Sequence, residues 1–264
     1  MNAQTVAILS LKMGLPDDDV QCDDVHWGVA VNPSTPVDLL ATLASSESIG
    51  LRAGVAVNPS TPADLLVALS SDVNMKVREG TAMNPSTPAD ALRALATDNH
   101  ENVRWLAAEN PATPTDALSF LARDQSNYVR AGVARNSSAT DELLSNLASA
   151  DDVDVRRCVA ENPSTSEVIL WTLAADEAFE VRAGIAENTE TPQGALPLLA
   201  MDPYNLVRGA VGGNPSTPVA ILRTLATDLM REGVARNPLA PEDLLRRLAF
   251  DDDEDVRWNV AANP

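Results

Sequence analysis

A row of arginines provides the side chains of this sequence that are best suited to chemistry. Nine of them recur at a nearly constant spacing of 26 residues, and His26 holds the same place in the first repeat. A row of guanidinium groups can bind the successive phosphates of a nucleic acid, or it can pair with carboxylates. The row consists of Arg52, Arg78, Arg104, Arg130, Arg156, Arg182, Arg208, Arg231 and Arg257.

An aspartate stands six residues before six of these arginines, which favours carboxylate pairing. Arginine has five N–H donors and can tie a carboxylate and loop carbonyls together between repeats. The sequence therefore predicts a structural ladder, and nucleic-acid binding through the same row remains the alternative. The predicted ladder contains Asp72 and Arg78, Asp98 and Arg104, Asp124 and Arg130, Asp176 and Arg182, and Asp202 and Arg208.

These rows belong to a longer repeat that asparagine marks. The asparagines recur every 26 residues, with one interval of 23, and a fixed period in this range is typical of solenoids. The spacing of apolar residues predicts two helices per repeat, with helix A after each asparagine and helix B before the next; no segment alternates as a strand does. We number the repeats 1 to 10 by Asn32, Asn58, Asn84, Asn110, Asn136, Asn162, Asn188, Asn214, Asn237 and Asn263.

Local signals predict where the helices begin and end. In repeat 3, Thr87 is expected to cap helix A, with Pro88 at the first helical position. The preceding Asn84 is expected to end helix B in the left-handed conformation. The glycine four residues before the asparagine, Gly80 in this repeat, is expected to mark a close contact with helix A.

The predicted domain organisation is simple. Residues 1–22 are expected to form a capping helix and an acidic linker, and residues 23–264 a single solenoid of ten repeats, the last incomplete. The net charge of −19 disfavours nucleic acid and anionic membranes as partners. We see no signal peptide and no membrane-spanning segment, so we expect a cytoplasmic protein.

The repeat unit Asp-x-x-x-x-Val-Arg-x-x-Val-Ala-x-Asn-Pro-x-Thr-Pro-x-x-Leu-Leu-x-x-Leu-Ala resembles the leucine-rich repeat variant family from about residue 24 to the end. The resemblance implies an all-α, right-handed solenoid in which longer α-helices alternate with short helices, often 3₁₀. The spacing of six between Asp72 and Arg78 is also similar to HEAT repeats. Some relatives bind an iron–sulfur centre through an N-terminal cysteine cluster, but only Cys22 lies in that region here, so no cofactor is expected.

Helix B of the first four repeats carries apolar residues where a solvated face is expected. The positions five and one residues before the asparagine point away from the Val and Ala rows on a helical wheel. Contiguous exposed apolar surface marks interaction sites, and tryptophan is a favoured anchor. The alternatives are that the N-terminal cap covers this face, or that the outward assignment is wrong by one row. The residues concerned are Trp27, Val31, Ala53, Val57, Met83 and Trp105.

The sequence does not indicate an enzyme. His26 and His100 have no partner cluster, and no phosphate loop, nucleophile elbow or metal-binding spacing is present. We expect helix B to be the short helix, and we expect a non-catalytic scaffold that binds a protein or peptide on the short-helix face of repeats 1–4, as a monomer or weak homodimer. Two alternatives stay open: a HEAT-like protein that binds or repairs nucleic acid through the arginine row, and a structural or self-associating array.

Overall fold

The structure, a computed structural model, describes residues 27–263, which lie in α-helices or in the loops between them. The predicted cap and linker (1–22) lie outside the described residues. Residues 27–31 are helical and belong to helix B of repeat 1. The helices that follow alternate between type A, with odd numbers, and type B, with even numbers. They are α1 Val37–Ala44, α2 Ile49–Val57, α3 Ala63–Leu69, α4 Met75–Met83, α5 Ala89–Leu95, α6 Glu101–Glu109, α7 Thr115–Leu121, α8 Asn127–Arg135, α9 Asp141–Leu147, α10 Val153–Glu161, α11 Glu167–Leu173, α12 Phe179–Glu187, α13 Leu196–Leu199, α14 Asn205–Gly213, α15 Val219–Leu225, α16 Glu232–Arg236, α17 Glu242–Leu248 and α18 Glu254–Ala262.

The all-α solenoid of two-helix repeats is confirmed, but the relative helix lengths differ from the expectation. Most A helices have seven residues and most B helices nine, and all helices in the described part are α rather than 3₁₀. Helix B, which we expected to be the short one, is therefore the longer. Two helices are shortened for local reasons. Pro197 lies at the start of α13, and the loop before α16 lacks three residues between Asp228 and Arg231.

The described residues fall into two compact units that divide between Ser138 and Ala139. Within each unit, consecutive B helices pack directly against one another, and consecutive A helices contact each other less. The core consists of leucines from the A helices and of valines and alanines from the B helices. Leu66, Leu92 and Val103 are examples with no exposed surface. Each buried Leu contributes about 1.5–3 kcal/mol. That residues 23–264 form a single solenoid remains a prediction.

Asparagine side chains join consecutive repeats inside this core. The Nδ2 atom of Asn110 donates to the carbonyl oxygens of Ala82 and Asn84 in the preceding repeat, at 2.7 and 2.9 Å. Its Oδ1 atom accepts a hydrogen bond from the backbone N–H of Ala112 at 2.9 Å. The first two bonds satisfy two carbonyl groups at the end of the preceding B helix, and the third closes the turn that follows Asn110. Equivalent bonds to the preceding repeat are made by Asn58, Asn84, Asn136, Asn188, Asn214, Asn237 and Asn263.

The predicted left-handed conformation of the asparagine is wrong. Asn84 has φ −70° and ψ 121°, an extended backbone conformation. A following proline favours this conformation, but Asn136 and Asn188 precede serine and threonine and adopt the same angles. The hydrogen bonds of the side chain, rather than proline, are therefore what these residues share.

The threonine of the repeat does not cap helix A as we expected. The Oγ1 atom of Thr87 donates to the carbonyl oxygen of Thr81 in the preceding B helix at 2.6 Å. Pro88 occupies the N-cap position with ψ 150°, so it stands one residue before the helix. In repeat 5, Thr140 takes the place of this proline, and its side chain accepts from the N–H of Leu143. A side-chain cap thus appears at helix A of this repeat, where proline is replaced.

A second ladder joins arginine to aspartate between repeats. The Nε and Nη2 atoms of Arg78 donate to the two carboxylate oxygens of Asp98, at 2.6 and 3.0 Å. The Nη1 atom of Arg78 donates to the carbonyl oxygens of Asp72 and Val73, which belong to the loop before its own helix. The Oδ1 atom of Asp98 also accepts from the backbone N–H of His100. The same bidentate pairs are Arg52–Asp72, Arg104–Asp124, Arg156–Asp176, Arg182–Asp202, Arg208–Asp228 and Arg231–Asp251.

This geometry corrects the predicted pairing. An aspartate six residues before the arginine, such as Asp72 before Arg78, offers its backbone carbonyl. The carboxylate that Arg78 binds is Asp98, which stands 20 residues after it in the next repeat. The reason is that each carboxylate also accepts a hydrogen bond from a backbone N–H of its own loop, as Asp98 does from His100. This bond orients the carboxylate towards the preceding repeat. Arg130 departs from the ladder because residue 150 is alanine. Its guanidinium donates to the carbonyl of Asp124 and to the side chain of Asn127.

The ladder shifts the pKa values of its carboxylates. The hydrogen bonds from Arg52 hold the pKa of Asp72 below its ordinary value, against the opposing effect of burial, and the N–H of Asn74 lowers it further. For Asp98, burial is the largest influence and raises the pKa. The hydrogen bonds from Arg78 and from the backbone N–H of His100 outweigh it, so the pKa of Asp98 is also lowered. These carboxylates are therefore held in the ionised form.

Replacing one asparagine tests the first ladder. We expect Asn110→Ala to lower the free energy of unfolding by about 2–4 kcal/mol, because it leaves buried carbonyls without donors. Ser86→Ala, which removes an exposed hydroxyl 3.5 Å from the carbonyl of Pro59, should change it by less than about 0.5 kcal/mol. Urea denaturation measures both values. Equal effects of the two substitutions would contradict the role of the asparagine.

The second ladder predicts a pH dependence. The pKa of Asp72 is lower in the folded state than in the unfolded state, where it is about 3.9. The stabilisation by Asp72 is therefore complete at a pH well above about 3.9, and it is lost as the pH falls through the pKa of the folded state. Asp72→Asn should cost about 2–3 kcal/mol at neutral pH, and this difference from wild type should shrink below about pH 4. Urea denaturation over a pH series, with the exposed Asp64→Asn as control, measures it. A difference that stays constant down to about pH 2 would contradict the assignment.

Candidate functional site

Seven of the nine arginines in the row do not offer a free cationic surface. In the seven ladder pairs, the arginine side chains are only 9–19% exposed, and each fork is occupied by a carboxylate. Phosphate would therefore have to displace an aspartate that the loop also holds. Several arginines near the C-terminal end are paired as well, including Arg223 with Asp243 and Arg246 with Glu242.

The structure places the predicted apolar residues along one surface of the B helices in repeats 1–4. Met83 is 58% exposed and Trp27 is 42% exposed, whereas Val31, Val57 and Trp105 are half-buried. The positions three and two residues before the asparagine are buried in these four repeats, whereas the positions five and one residues before it are at least partly exposed, except at Glu79. The residues expected to cap this face lie outside the described residues. We call the B face the outward side of residues 27–31, α2, α4 and α6 in repeats 1–4, together with the adjoining α8 of repeat 5.

Glycine in the next repeat lets the tryptophans lie on the B face. A Cβ atom built at Gly132 would lie 2.9 Å from Trp105 and 3.0 Å from Ala108. Gly54 stands in the same way against Trp27, at 3.1 Å. These glycines therefore contact the preceding B helix rather than helix A, which corrects our expectation. Each indole has one edge on a neighbouring helix and another edge towards solvent.

The B face also carries acids that we had not assigned to it. Glu79 occupies the same row as the tryptophans, and Glu109 occupies the row of Val31, Val57 and Met83. Each is paired with a cation: Glu79 with Lys76 at 2.7 Å, and Glu109 with Arg135 at 3.7 Å. The face of repeats 1–4 is therefore mixed, with apolar side chains between neutralised carboxylates.

A pocket opens on the B face between α6 and α8. Trp105, Tyr128, Glu101 and Asn102 line it, and its volume is about 410 Å³. Tyr128 is 76% exposed. Tyr128 and Asn102 were not predicted from the sequence, because they stand eight residues before the asparagine, outside the rows five and one residues before it. The available signal was an aromatic residue in a row that repeats 2 to 7 otherwise fill with small or polar side chains.

A separate exposed apolar patch, which was not predicted from the sequence, lies on the A helices of repeats 6 and 7. Val168, Trp171 and Leu198 are 76%, 40% and 57% exposed. A Cβ atom built at Gly194 would lie 3.1 Å from the ring of Trp171, so the indole lies over the next repeat. The outward row that contains Val168 holds aspartate in repeats 1–4, which was the available signal.

The described residues contain one group of acids close enough to share a metal ion, Glu232, Asp253 and Asp255, with oxygen atoms within 4.8 Å of one another. The side chain of Asp253 caps α18 through the N–H of Asp255. This helix cap accounts for part of the group, so we assign no metal to it. In the same described part of the chain, every helix is too short or too polar to cross a membrane.

Comparison with known proteins supports the fold. Neither a protein-family model nor a curated protein matches the sequence. Among solved structures, YibA of Escherichia coli is 18% identical, with coverage of 89% of this chain and 94% of that chain and a TM-score of 0.45. A computationally designed armadillo repeat protein for modular peptide recognition is 14% identical, with coverage of 99% and 98% and a TM-score of 0.25. These two TM-scores are too low to support an argument.

A third solved structure gives a stronger match to the fold. A leucine-rich repeat variant with a novel repetitive structural motif is 24% identical, with coverage of 85% of this chain and 80% of that chain and a TM-score of 0.50. The resemblance of the repeat unit is therefore matched by a resemblance of the folded chains. This protein is similar in structure to a leucine-rich repeat variant and shares its helical repeat fold.

Proposed function

We propose that this protein is a non-catalytic, cofactor-free repeat scaffold that binds a protein or peptide through its B face in repeats 1–4. The observation that carries the proposal is the exposure of Trp27 and Met83 on a surface where Val31, Val57 and Trp105 are also accessible in part. Exposed apolar side chains that lie together are costly in water and mark interaction sites.

The packing of the B helices within a unit supports binding of an extended partner. Consecutive B helices pack against each other, so equivalent positions form rows along each unit. A partner that lies along these rows meets Val31, Val57 and Met83 in succession. Tryptophan is among the side chains that contribute most to interfaces, and Trp27 and Trp105 flank these rows.

Two other functions have less support. Nucleic-acid binding would use the arginine row, but the ladder aspartates occupy its guanidinium groups, and the net charge is −19. Self-association would use the same apolar surface as a partner would. We propose a cytoplasmic monomer, or a weak homodimer, and the experiment below distinguishes self-association from binding of another protein.

A charge placed on the B face tests the proposal. Met83→Lys should weaken partner capture from the lysate of the host at least tenfold, because lysine would have to lose its hydration in the interface. Met83 ends α4, where a cation is tolerated, so the melting temperature should be nearly unchanged. The matched control is Val67→Lys on helix α3, where Val67 is 48% exposed but lies off the B face.

Quantitative mass spectrometry of the captured proteins compares the two variants with wild type, and size-exclusion chromatography reports self-association. Loss of a protein with Met83→Lys but not with Val67→Lys supports the B face as the binding surface. Equal losses, or none, would contradict it. A homodimer that dissociates only in the Met83→Lys variant would establish self-association instead.

A further inference from the structure

We propose that the pocket between α6 and α8 binds an arginine side chain of the partner, with Trp105 and Tyr128 against the guanidinium and Glu101 as its counter-charge. The inference rests on the proposed function, because the pocket is part of the B face, and it adds the chemistry of the partner. The partner segment is therefore basic and extended.

The first observation is the charge state of the pocket. In the part of the chain that the structure describes, no lysine or arginine nitrogen lies within ion-pair distance of Glu101, whereas Glu79 and Glu109 have Lys76 and Arg135. The hydroxyl of Ser126 donates to the Oε1 atom of Glu101 at 2.5 Å and fixes the position of this carboxylate. Glu101 is thus an oriented carboxylate without an ion-pair partner, and the nearby Arg104 acts on it only through a longer-range charge interaction because its guanidinium is bound to Asp124.

The second observation is the aromatic lining. Trp105 and Tyr128 line the same pocket as Glu101, and Tyr128 is largely exposed although its ring is apolar. Aromatic faces attract cations, and arginine stacks on them because its guanidinium is planar. The same group can pair bidentately with a carboxylate. A volume of about 410 Å³ accommodates one such side chain.

The third observation is electrostatic. The chain has a net charge of −19, so a basic segment would be attracted over a distance before contact.

Asn102 connects the pocket to the middle of the B face, because its Nδ2 atom donates to Glu79 at 3.5 Å. An extended segment with arginine in this pocket can therefore continue over the apolar rows towards Met83.

The test uses two synthetic peptides, Leu-Arg-Leu-Arg-Leu and the same peptide with citrulline in place of arginine, titrated calorimetrically at physiological salt. Citrulline keeps the planar shape and removes the charge. We expect the wild-type protein to bind the arginine peptide about tenfold more tightly or better. Glu101→Gln and Tyr128→Leu should each reduce this preference several-fold. Asp64→Asn, which changes the net charge equally on an exposed part of α3, should leave it unchanged.

Three outcomes would overturn the inference: equal binding of the two peptides, a preference that Glu101→Gln leaves intact, or binding of neither peptide. The proposed function is judged separately by Met83→Lys. If Met83→Lys abolishes partner capture and the two peptides bind equally, the B face remains the binding surface and the arginine pocket is rejected. If Glu101→Gln reduces the preference for the arginine peptide but Met83→Lys leaves partner capture unchanged, the arginine pocket is supported and the wider B face is rejected as the binding surface.

Discussion

Each B helix ends inside the stack, where its last carbonyl groups cannot reach water. A buried carbonyl without a donor destabilises the fold by about 1–3 kcal/mol. The carboxamide of the next asparagine supplies two donors to these carbonyls and one acceptor to the following turn, as in Asn84 and Asn110. Because this requirement recurs at every interface between repeats within a unit, it fixes both the residue type and its spacing.

The arginine ladder makes a second connection outside the core. Arg78 binds the loop before its own helix and the carboxylate of the next repeat at the same time. It therefore sets the distance between the two loops and also neutralises the carboxylate. This use of arginine has a consequence for function. Seven arginines of the array are paired within it, which leaves an acidic protein with exposed apolar residues on the B face and on the A helices of repeats 6 and 7.

Periodicity predicted most of the architecture. The leucine rows, the two helices per repeat and the outward rows of Trp27 and Met83 follow from spacing, since a helix of 3.6 residues per turn sets which side chains share a face. Spacing within one repeat does not determine contacts between repeats. Arg78 therefore pairs with Asp98 rather than Asp72, and Gly132 contacts Trp105 rather than helix A.

The conformations at helix ends were less predictable because side chains compete for the same backbone groups. Thr87 has the residue type of an N-cap, yet its hydroxyl bonds to the preceding helix. Asn84 has the residue type of a left-handed C-cap, yet its three side-chain bonds require extended backbone. The pocket at Trp105 could not be predicted from one repeat, because Tyr128 and Glu101 belong to different repeats and come together only when the repeats stack.

A double-mutant cycle on Arg78 and Asp98 tests most directly whether side-chain pairs couple consecutive repeats. The single variants Arg78→Ala and Asp98→Ala and the double variant are compared by urea denaturation at neutral pH. The ladder predicts a coupling energy of about 2 kcal/mol, with the double variant little less stable than either single one. Additive losses, with a coupling energy below about 0.5 kcal/mol, would show that the arginine ladder does not couple the repeats and would contradict the account.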